Sequence, residues 1–338
     1  MKQQQLNHTV LKKAAECYGI TSDDLCSVSG GFQNKVFVYS KSNRNYIMRL
    51  TPKRKRTKEE LHEEISWIQF LKSSGVSVSG AVKSGNHLFI EEVSDFYITV
   101  FEKAEGGLVN LQNPNQWNND FFHRWGRLLG QVHHAGRQYK GIKGNPNRLY
   151  WSHEQPYNHE LFKRLPSDLC KKKYHELMQQ MMRMPVDKHH YGLIHNDFHQ
   201  GNFFVNGCNI TLFDFDDSAY FYYAYDIAVA FYHAYWQHTS FNTKEDEFIT
   251  EFLTHFLNGY SEANKLTRNT VDHLPYFLKL RELFLYVLFL QVWDMDKLED
   301  WQSYTIENLQ KNIENNTVYA GLDDQLLQKL KQQVNKPF

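Results

Sequence analysis

Ile194-His195-Asn196-Asp197-Phe198-His199-Gln200-Gly201-Asn202-Phe203-Phe204-Val205 is followed, after a four-residue gap, by Ile210-Thr211-Leu212-Phe213-Asp214-Phe215-Asp216-Asp217. An apolar approach gives way to a polar turn, a short apolar run, a Gly-bearing turn, and a second apolar run closed by carboxylates. That pattern predicts a hairpin of short buried strands whose turns present polar side chains. Asp197, Asn202 and Asp214 offer oxygen donors. These are the ligands a hard cation such as Mg2+ takes, usually with substrate phosphates completing its octahedron. Asp and Asn also make ordinary turns. The ordered set, His-x-Asp-x4-Asn and then Asp at the end of a second apolar run, points to chemistry instead.

Working outward, the chain before this stretch is strand-rich. Residues 4–18 space their apolar side chains for one face of a short helix, which Gly19 closes. Residues 25–28, 35–40 and 46–50 predict three short strands in a meander. The Gly30-Gly31 turn between the first two is a hairpin tip of the kind that lets backbone N–H groups approach phosphates. After Pro52 comes a basic run, Lys53-Arg54-Lys55-Arg56, which reads as a solvated face. Thr57 and Glu60 then form a capping-box pattern that opens a helix through Leu61, Ile65, Ile68 and Leu71. Strands resume at 81–82, 88–91 and 97–101.

The Gly-bearing segment around Gly106-Gly107 reads as a linker, and beyond it the chain is mostly helical. Amphipathic or apolar stretches at 121–139, 169–184, 226–238, 248–260, 274–298 and 322–334 predict the helices. The fold class is therefore α+β. The expected division is a strand-rich part over residues 1–104 and a helical part over 105–338.

Lys plus Arg and Asp plus Glu both number 38, a balance that argues against a general nucleic-acid binder. The cysteines, Cys17, Cys26, Cys170 and Cys208, lack CxxC spacing, which argues against a disulfide framework or structural zinc and for a reducing, cytoplasmic setting. The N-terminal residues lack the apolar core of a signal peptide. The most apolar run, residues 283–290, is far shorter than the roughly 20 residues needed to span a bilayer and reads as a buried core helix.

His195-Asn196-Asp197-Phe198-His199-Gln200-Gly201-Asn202, with Phe213-Asp214-Phe215-Asp216 and Tyr225-Asp226-Ile227-Ala228, resembles the aminoglycoside phosphotransferase/choline kinase family. The resemblance implies a bilobal protein-kinase-like fold with a small antiparallel-sheet N-lobe and a larger, mainly helical C-lobe. It also implies ATP and Mg2+ as cofactors. Asp197 would be the catalytic base, Asn202 and Asp214 the metal ligands. His195 would be structural, and Asp226 would brace the catalytic loop, although an N-cap explains it equally well. Gly30 and Gly31 would approach the nucleotide phosphates. Arg49 stands where kinases place a phosphate-binding lysine, a role its rigid guanidinium can take, with Glu64, or else Glu60, as its carboxylate partner. The segment Val100-Phe101-Glu102-Lys103-Ala104 resembles the hinge, with Phe101, Glu102 and Ala104 around the adenine. His199 receives no role.

The acceptor hydroxyl is less legible. Trp293, Asp296 and Asp300 share one face if the helix runs through them, and Asp216 and Asp217 would add negative charge beside the metals. Aromatic faces with carboxylates suit an amine-bearing small molecule; core packing and a solvated face are the bland reading. Arg148-Leu149-Tyr150-Trp151 resembles a segment of homoserine-kinase-like and stress-response-kinase-like members, which keeps amino alcohols, sugars and protein Ser/Thr side chains open. The expected partner is a small-molecule hydroxyl acceptor, without nucleic acid or membrane, for a monomer or homodimer. Rivals are a pseudokinase-like nucleotide-binding module, for which only Arg49 speaks, and a nucleotide-independent hydrolase, which lacks a nucleophile elbow or a His-Glu-x-x-His helix.

Overall fold

The structure is a computed structural model that describes residues 8–28, 34–141, 162–241 and 245–334. The chain forms two compact units, the first from Met1–Gly107, Tyr139–Arg148 and Phe203–Asp216, the second from Leu108–Gln138, Leu149–Asn202 and Asp217–Phe338.

In the first unit, β1 (Cys26–Ser27), β2 (Lys35–Lys41), β3 (Arg44–Pro52), β6 (Phe96–Glu102) and β4 (Ala81–Val82) lie in that order in an antiparallel sheet, and β5 (Ile90–Val93) also pairs with β6. The β2–β3 turn places Ser42 and Asn43 at φ of 51° and 59°, the conformation that matches strand twist in a tight hairpin. Helix α1 (His8–Glu16) sets Ala14 against Met48, Leu50, Ile98 and Val100. Helix α2 (Lys58–Ser73) begins at the Thr57–Glu60 capping box and buries Leu61 and Ile65 against Ile90. The tip carrying Gly30 and Gly31 lies outside the described residues, as does the segment Arg148-Leu149-Tyr150-Trp151.

The expected hairpin forms, but from fewer residues than its sequence pattern predicts. Strands β8 (Phe203–Asn206) and β9 (Asn209–Leu212) pair about Gly207, whose φ is 59°. They join the rest of the first unit through Ser79 N–H to the Leu212 carbonyl (2.9 Å) and Leu212 N–H to the Ser77 carbonyl (3.0 Å). Val205 and Gly107 exchange further backbone bonds. Gly106, at φ 85°, leaves no room for a Cβ, which would stand 2.1 Å from the Val205 carbonyl oxygen. The Gly-bearing segment is a close crossing as well as a connection.

The second unit holds β7 (Tyr191–Ile194), which pairs with β10 (Ala219–Tyr222) and not with β8. Its helices are α3 (Asn119–Gly136), α4 (Asp168–Met181), α5 (Tyr223–Phe241), α6 (Glu245–Ala263), α7 (Arg268–Asp272), α8 (Leu274–Val292), α9 (Asp300–Glu314) and α10 (Asp324–Val334). Helices α3 and α6 approach through Gly126 and Gly259. A Cβ on Gly126 would lie 1.9 Å from the Phe256 carbonyl oxygen, and one on Gly259 would lie 1.8 Å from that of His123.

The helix predicted over 274–298 stops at Val292. Trp293 is extended, and the Asp294 side chain accepts the Asp296 N–H at 3.3 Å. That local bond competes with helix continuation. A new helix starts only after Glu299, which forms a capping box with Gln302. Trp293, Asp296 and Asp300 therefore do not share a helical face. No described helix is long and apolar enough to cross a membrane.

Candidate active site

Residues 195–202 leave β7 as a loop held from below by Asp226, at the start of α5. The fully buried Asp226 carboxylate accepts the His195 N–H at 2.9 Å and the Asn196 N–H at 2.7 Å, and contacts His133 Nε2 at 3.1 Å. Burial lowers the His133 pKa against the opposing pull of Asp226. A neutral imidazole bonded to Asp226 and to the Tyr260 hydroxyl (2.9 Å) satisfies this polar pocket. Asn196 adopts φ 72°, and its Nδ2 donates to the Asp217 carbonyl at 2.9 Å. The buried His195 ring accepts the Asp197 N–H on Nδ1 at 3.3 Å and packs edge-on against Phe198. His195 and Asp226 thus shape the loop from inside.

Asp197 sits at the loop's exposed edge, with its side chain 26% accessible. Arg281 Nη2, from α8, donates to Oδ1 at 2.6 Å. Asn202 Nδ2 donates to Oδ2 at 2.9 Å and to the Asp197 carbonyl at 2.8 Å. His199 Nε2 lies 3.3 Å from Oδ2. Burial would raise the Asp197 pKa, but His199 and Arg281 outweigh it and hold the carboxyl well below the usual range.

Arg281 is itself fixed from behind. Its Nε and Nη2 meet His233 Nε2 at 3.1 and 2.7 Å, and the His233 ring stacks on His199 at 4.5 Å. Burial, then Arg281, keeps His233 well below its ordinary pKa, so its neutral Nε2 accepts from the guanidinium. The sequence alone assigns no site role to Arg281, His233 or His199. Arg281 borders the apolar run 283–290, and its charge there, in a stretch otherwise built for the core, was the available signal.

The first unit carries a second charged cluster. Arg49 Nη1 and Nη2 donate to Glu64 Oε1 and Oε2, each at 2.8 Å, so Glu64 and not Glu60 is the partner. The guanidinium also lies over the Phe101 ring at 5.0 Å. Burial opposes its charge, while Glu64, Asp216 and Asp214 raise the Arg49 pKa further. Asp214, at the end of β9, is exposed and adopts φ 64°, a conformation that costs about 1–3 kcal/mol for a non-Gly residue.

Asp216 does not fit the acceptor role suggested for it. It is buried, with Oδ1 3.4 Å from Arg56 Nε, Oδ2 3.4 Å from Asn34 Nδ2, and its carbonyl accepting from Arg56 Nη2 at 2.9 Å. Arg56 is correspondingly bound, not merely solvated as the basic run suggested. Asp217 is half-buried and takes part through its carbonyl. Asp296 is exposed, and Trp293 stacks on Phe289 at 4.2 Å.

In the hinge-like segment, the Glu102 N–H donates to the Gly80 carbonyl and the Lys103 N–H to the Asn45 carbonyl, both at 2.9 Å. The Glu102 carboxylate pairs with Lys72. Those amides are committed to the sheet and its flank. The Ala104 N–H, by contrast, has no hydrogen-bond partner among the described residues.

The donor chemistry fits a hard cation. Asp197 occupies Asn202 Nδ2, which leaves Oδ1 as the side chain's remaining coordinating atom. Asp214 offers carboxylate oxygens from a strained turn. Among the described residues, no three His, Cys, Asp or Glu converge as a closed cage. Mg2+ does not require one, because it keeps waters and takes substrate phosphates.

Residues 24–266 match the model of the phosphotransferase enzyme family. An amicoumacin kinase of Bacillus subtilis (strain 168) is 31% identical over 321 residues, which cover 93% of this chain and 94% of that protein. A solved amicoumacin kinase, hAmiN in complex with AMP-PNP, Ca2+ and Ami, superposes with a TM-score of 0.87 at 30% identity, covering 95% of this chain and 97% of that one. A microcompartment-associated aminopropanol kinase shares the fold, with a TM-score of 0.72 at 18% identity and coverage of 93% and 100%.

Proposed function

The chain belongs to the phosphotransferase enzyme family, and from that premise we propose that it moves the γ-phosphoryl group of ATP to a hydroxyl of a small, amine-bearing molecule. Amicoumacin is the first acceptor to try, because the amicoumacin kinases resemble this chain over nearly its whole length. The observation that carries the reading is the grip on Asp197: ionised, partly exposed, and oriented by Arg281 and Asn202.

Phosphoryl transfer asks the protein mainly to position groups and neutralise charge. Asp197 Oδ2 would accept a hydrogen bond from the incoming hydroxyl and align its oxygen with the γ-phosphorus. The new O–P bond forms as the bond to the β–γ bridging oxygen breaks, and ADP leaves. A carboxylate of depressed pKa is a weak base, so the proton reaches Asp197 only as the hydroxyl oxygen loses electron density to phosphorus, and it then passes to solvent. By the family pattern Asn202 and Asp214 would each be a ligand to Mg2+, which when bound would neutralise phosphate charge. Arg49, fixed by Glu64, would face the phosphates, and the Ala104 amide would meet adenine. The first unit thus serves the nucleotide and the second the acceptor, in a cytoplasmic enzyme that needs no membrane or nucleic acid.

An ATP-consumption assay over amicoumacin, amino alcohols, aminoglycosides, sugars and a Ser/Thr protein substrate tests this. Turnover with an amine-bearing acceptor, absent in Asp197→Ala, supports it. No acceptor-dependent turnover above the Asp197→Ala background overturns it and leaves the pseudokinase reading.

A further inference from the structure

His233, on α5, is a buried histidine that stands one contact away from both oxygens of the Asp197 carboxylate. On one side its Nε2 meets Arg281 Nε at 3.1 Å and Nη2 at 2.7 Å, and Arg281 Nη2 reaches Asp197 Oδ1 at 2.6 Å. On the other its ring lies on His199, with centroids 4.5 Å apart and planes 22° from parallel, and His199 Nε2 lies 3.3 Å from Asp197 Oδ2. The two arms of one imidazole thus flank the group assigned to the hydroxyl proton.

The donors around the two rings decide where their protons sit. An arginine side chain carries donors and no acceptor. His233 Nε2 must therefore present its lone pair, which leaves the proton on Nδ1. The Gly201 N–H donates to His199 Nδ1 at 3.0 Å, so the His199 proton sits on Nε2 and faces Asp197. The stacked rings hold opposite tautomers, each suited to its neighbour.

Geometry makes the His233 nitrogen more than a filler. A single bond from Nη2 to Asp197 leaves the planar guanidinium free to swing about that bond. Two N–H groups of one edge converging on Nε2 fix the plane, and the Tyr225 hydroxyl adds a further bond. A buried N–H deprived of its acceptor is costly, so without Nε2 the guanidinium would turn toward other acceptors and loosen its aim at Oδ1. The loop has a separate tie to α5, since Gln200 Nε2 donates to the His233 carbonyl at 3.1 Å. That main-chain contact does not depend on the side chain at position 233.

We propose that His233 is a positioning residue for the transfer, aiming Asp197 Oδ1 through Arg281 with its Nε2 and seating His199 beside Oδ2 with its ring face. The proposal rests on the reading of Asp197 as the group that receives the hydroxyl proton. It assigns two tasks to one ring, and the atom can be separated from the face.

Three variants do so. His233→Gln keeps an acceptor without the ring, His233→Phe keeps the ring without an acceptor, and His233→Leu keeps neither. They are assayed with ATP, Mg2+ and amicoumacin, or with the amine that turns over in its stead, after melting curves confirm the fold. His233→Phe should lose about tenfold or more in kcat and His233→Leu more still, with KM for both substrates within about twofold of wild type. His233→Gln should recover most of the kcat lost in His233→Leu. A histidine that merely fills the core would give neither that rescue nor the split between kcat and KM. Wild-type kcat in folded His233→Phe, equal losses in His233→Gln and His233→Leu, or a change confined to KM overturns the proposal.

Nuclear magnetic resonance tests the same arrangement without turnover. Long-range 1H–15N spectra of the wild type should show the Nδ1–H tautomer for His233. The Arg281 Nε–H, identified by its absence in Arg281→Lys, should exchange slowly with solvent and lose that protection in His233→Phe. An Nε2–H tautomer or a rapidly exchanging Arg281 Nε–H in the wild type overturns the proposal even if no variant folds. If the wild type consumes no ATP with any acceptor, the kinase reading falls, and the tautomer and the exchange rate decide the His233–Arg281 arrangement by themselves.

Discussion

Each unit buries an arginine against a carboxylate, and the two pairs are built for different ends. Arg49 and Glu64 form a closed fork, two bonds of 2.8 Å with side chains 7% and 1% exposed. Arg281 gives Asp197 a single bond of 2.6 Å, with the guanidinium 5% and the carboxylate 26% exposed. The first pair uses up the carboxylate. The second holds one oxygen and leaves the other toward the open side of the loop, shared with Asn202 and His199. A buried pair is weak evidence for net stability, yet breaking one strands a charge. A closed pair should therefore report on folding, and an open one on turnover.

The sharpest way to break that contrast is Asp197→Asn. Turnover should fall by about 10²–10⁴-fold, while the loss of stability stays smaller than in Glu64→Ala, because Asn keeps an oxygen for Arg281. A collapsed melting curve would put Asp197 with the structural pairs. Next comes Glu64→Ala, which leaves the Arg49 charge buried and should destabilise the protein by about 3–5 kcal/mol in chemical denaturation; near-normal stability would show that Arg49 finds another partner. Arg281→Lys removes the His233 bond geometry and should lower kcat by about tenfold or more with smaller change in KM, because orientation acts in the transition state. A change confined to KM would instead make Arg281 a binding residue.

The pH dependence has a definite sign. Folding lowers the Asp197 pKa below its unfolded value, so the unfolded chain binds more protons and the pair stabilises the fold above that value. The stabilisation is lost as the pH falls through the depressed folded pKa. Asp197→Asn should therefore flatten part of the acid limb of the stability curve, and an unchanged limb would count against the ion pair. The smallest effect sharpens the contrast from outside: Lys72→Ala, at the half-exposed pair with Glu102, should cost about 1 kcal/mol or less.

Local signals in the sequence correspond well to local structure. The Thr57–Glu60 capping box opens α2, and Asp197 and Asn202 share one loop braced by His195 and Asp226. Partnerships across the chain were harder to read. Strand β7 chooses β10, although β8 follows it sooner and is equally apolar, because strand pairing depends on where the intervening loop turns. Arg281 meets Asp197 across 84 positions, a distance no periodicity reports. At Trp293 a single Asx bond from Asp294 ended a helix whose spacing looked continuous.

The hairpin of β8 and β9 has a consequence for how the protein is made. It completes the first unit, bonding Ser77, Ser79 and Gly107 through Leu212 and Val205, yet it is encoded long after them. During synthesis, N-terminal segments emerge first and begin to fold before later ones exist. The first unit must therefore wait, its backbone groups at Ser77 and Ser79 unpaired, until the ribosome has passed the loop carrying Asp197. A nascent chain released near Gly107 would present that open edge to other chains, an aggregation hazard. Among the last side chains the unit acquires is Asp214, so its metal-suited carboxylate arrives only when its scaffold is whole.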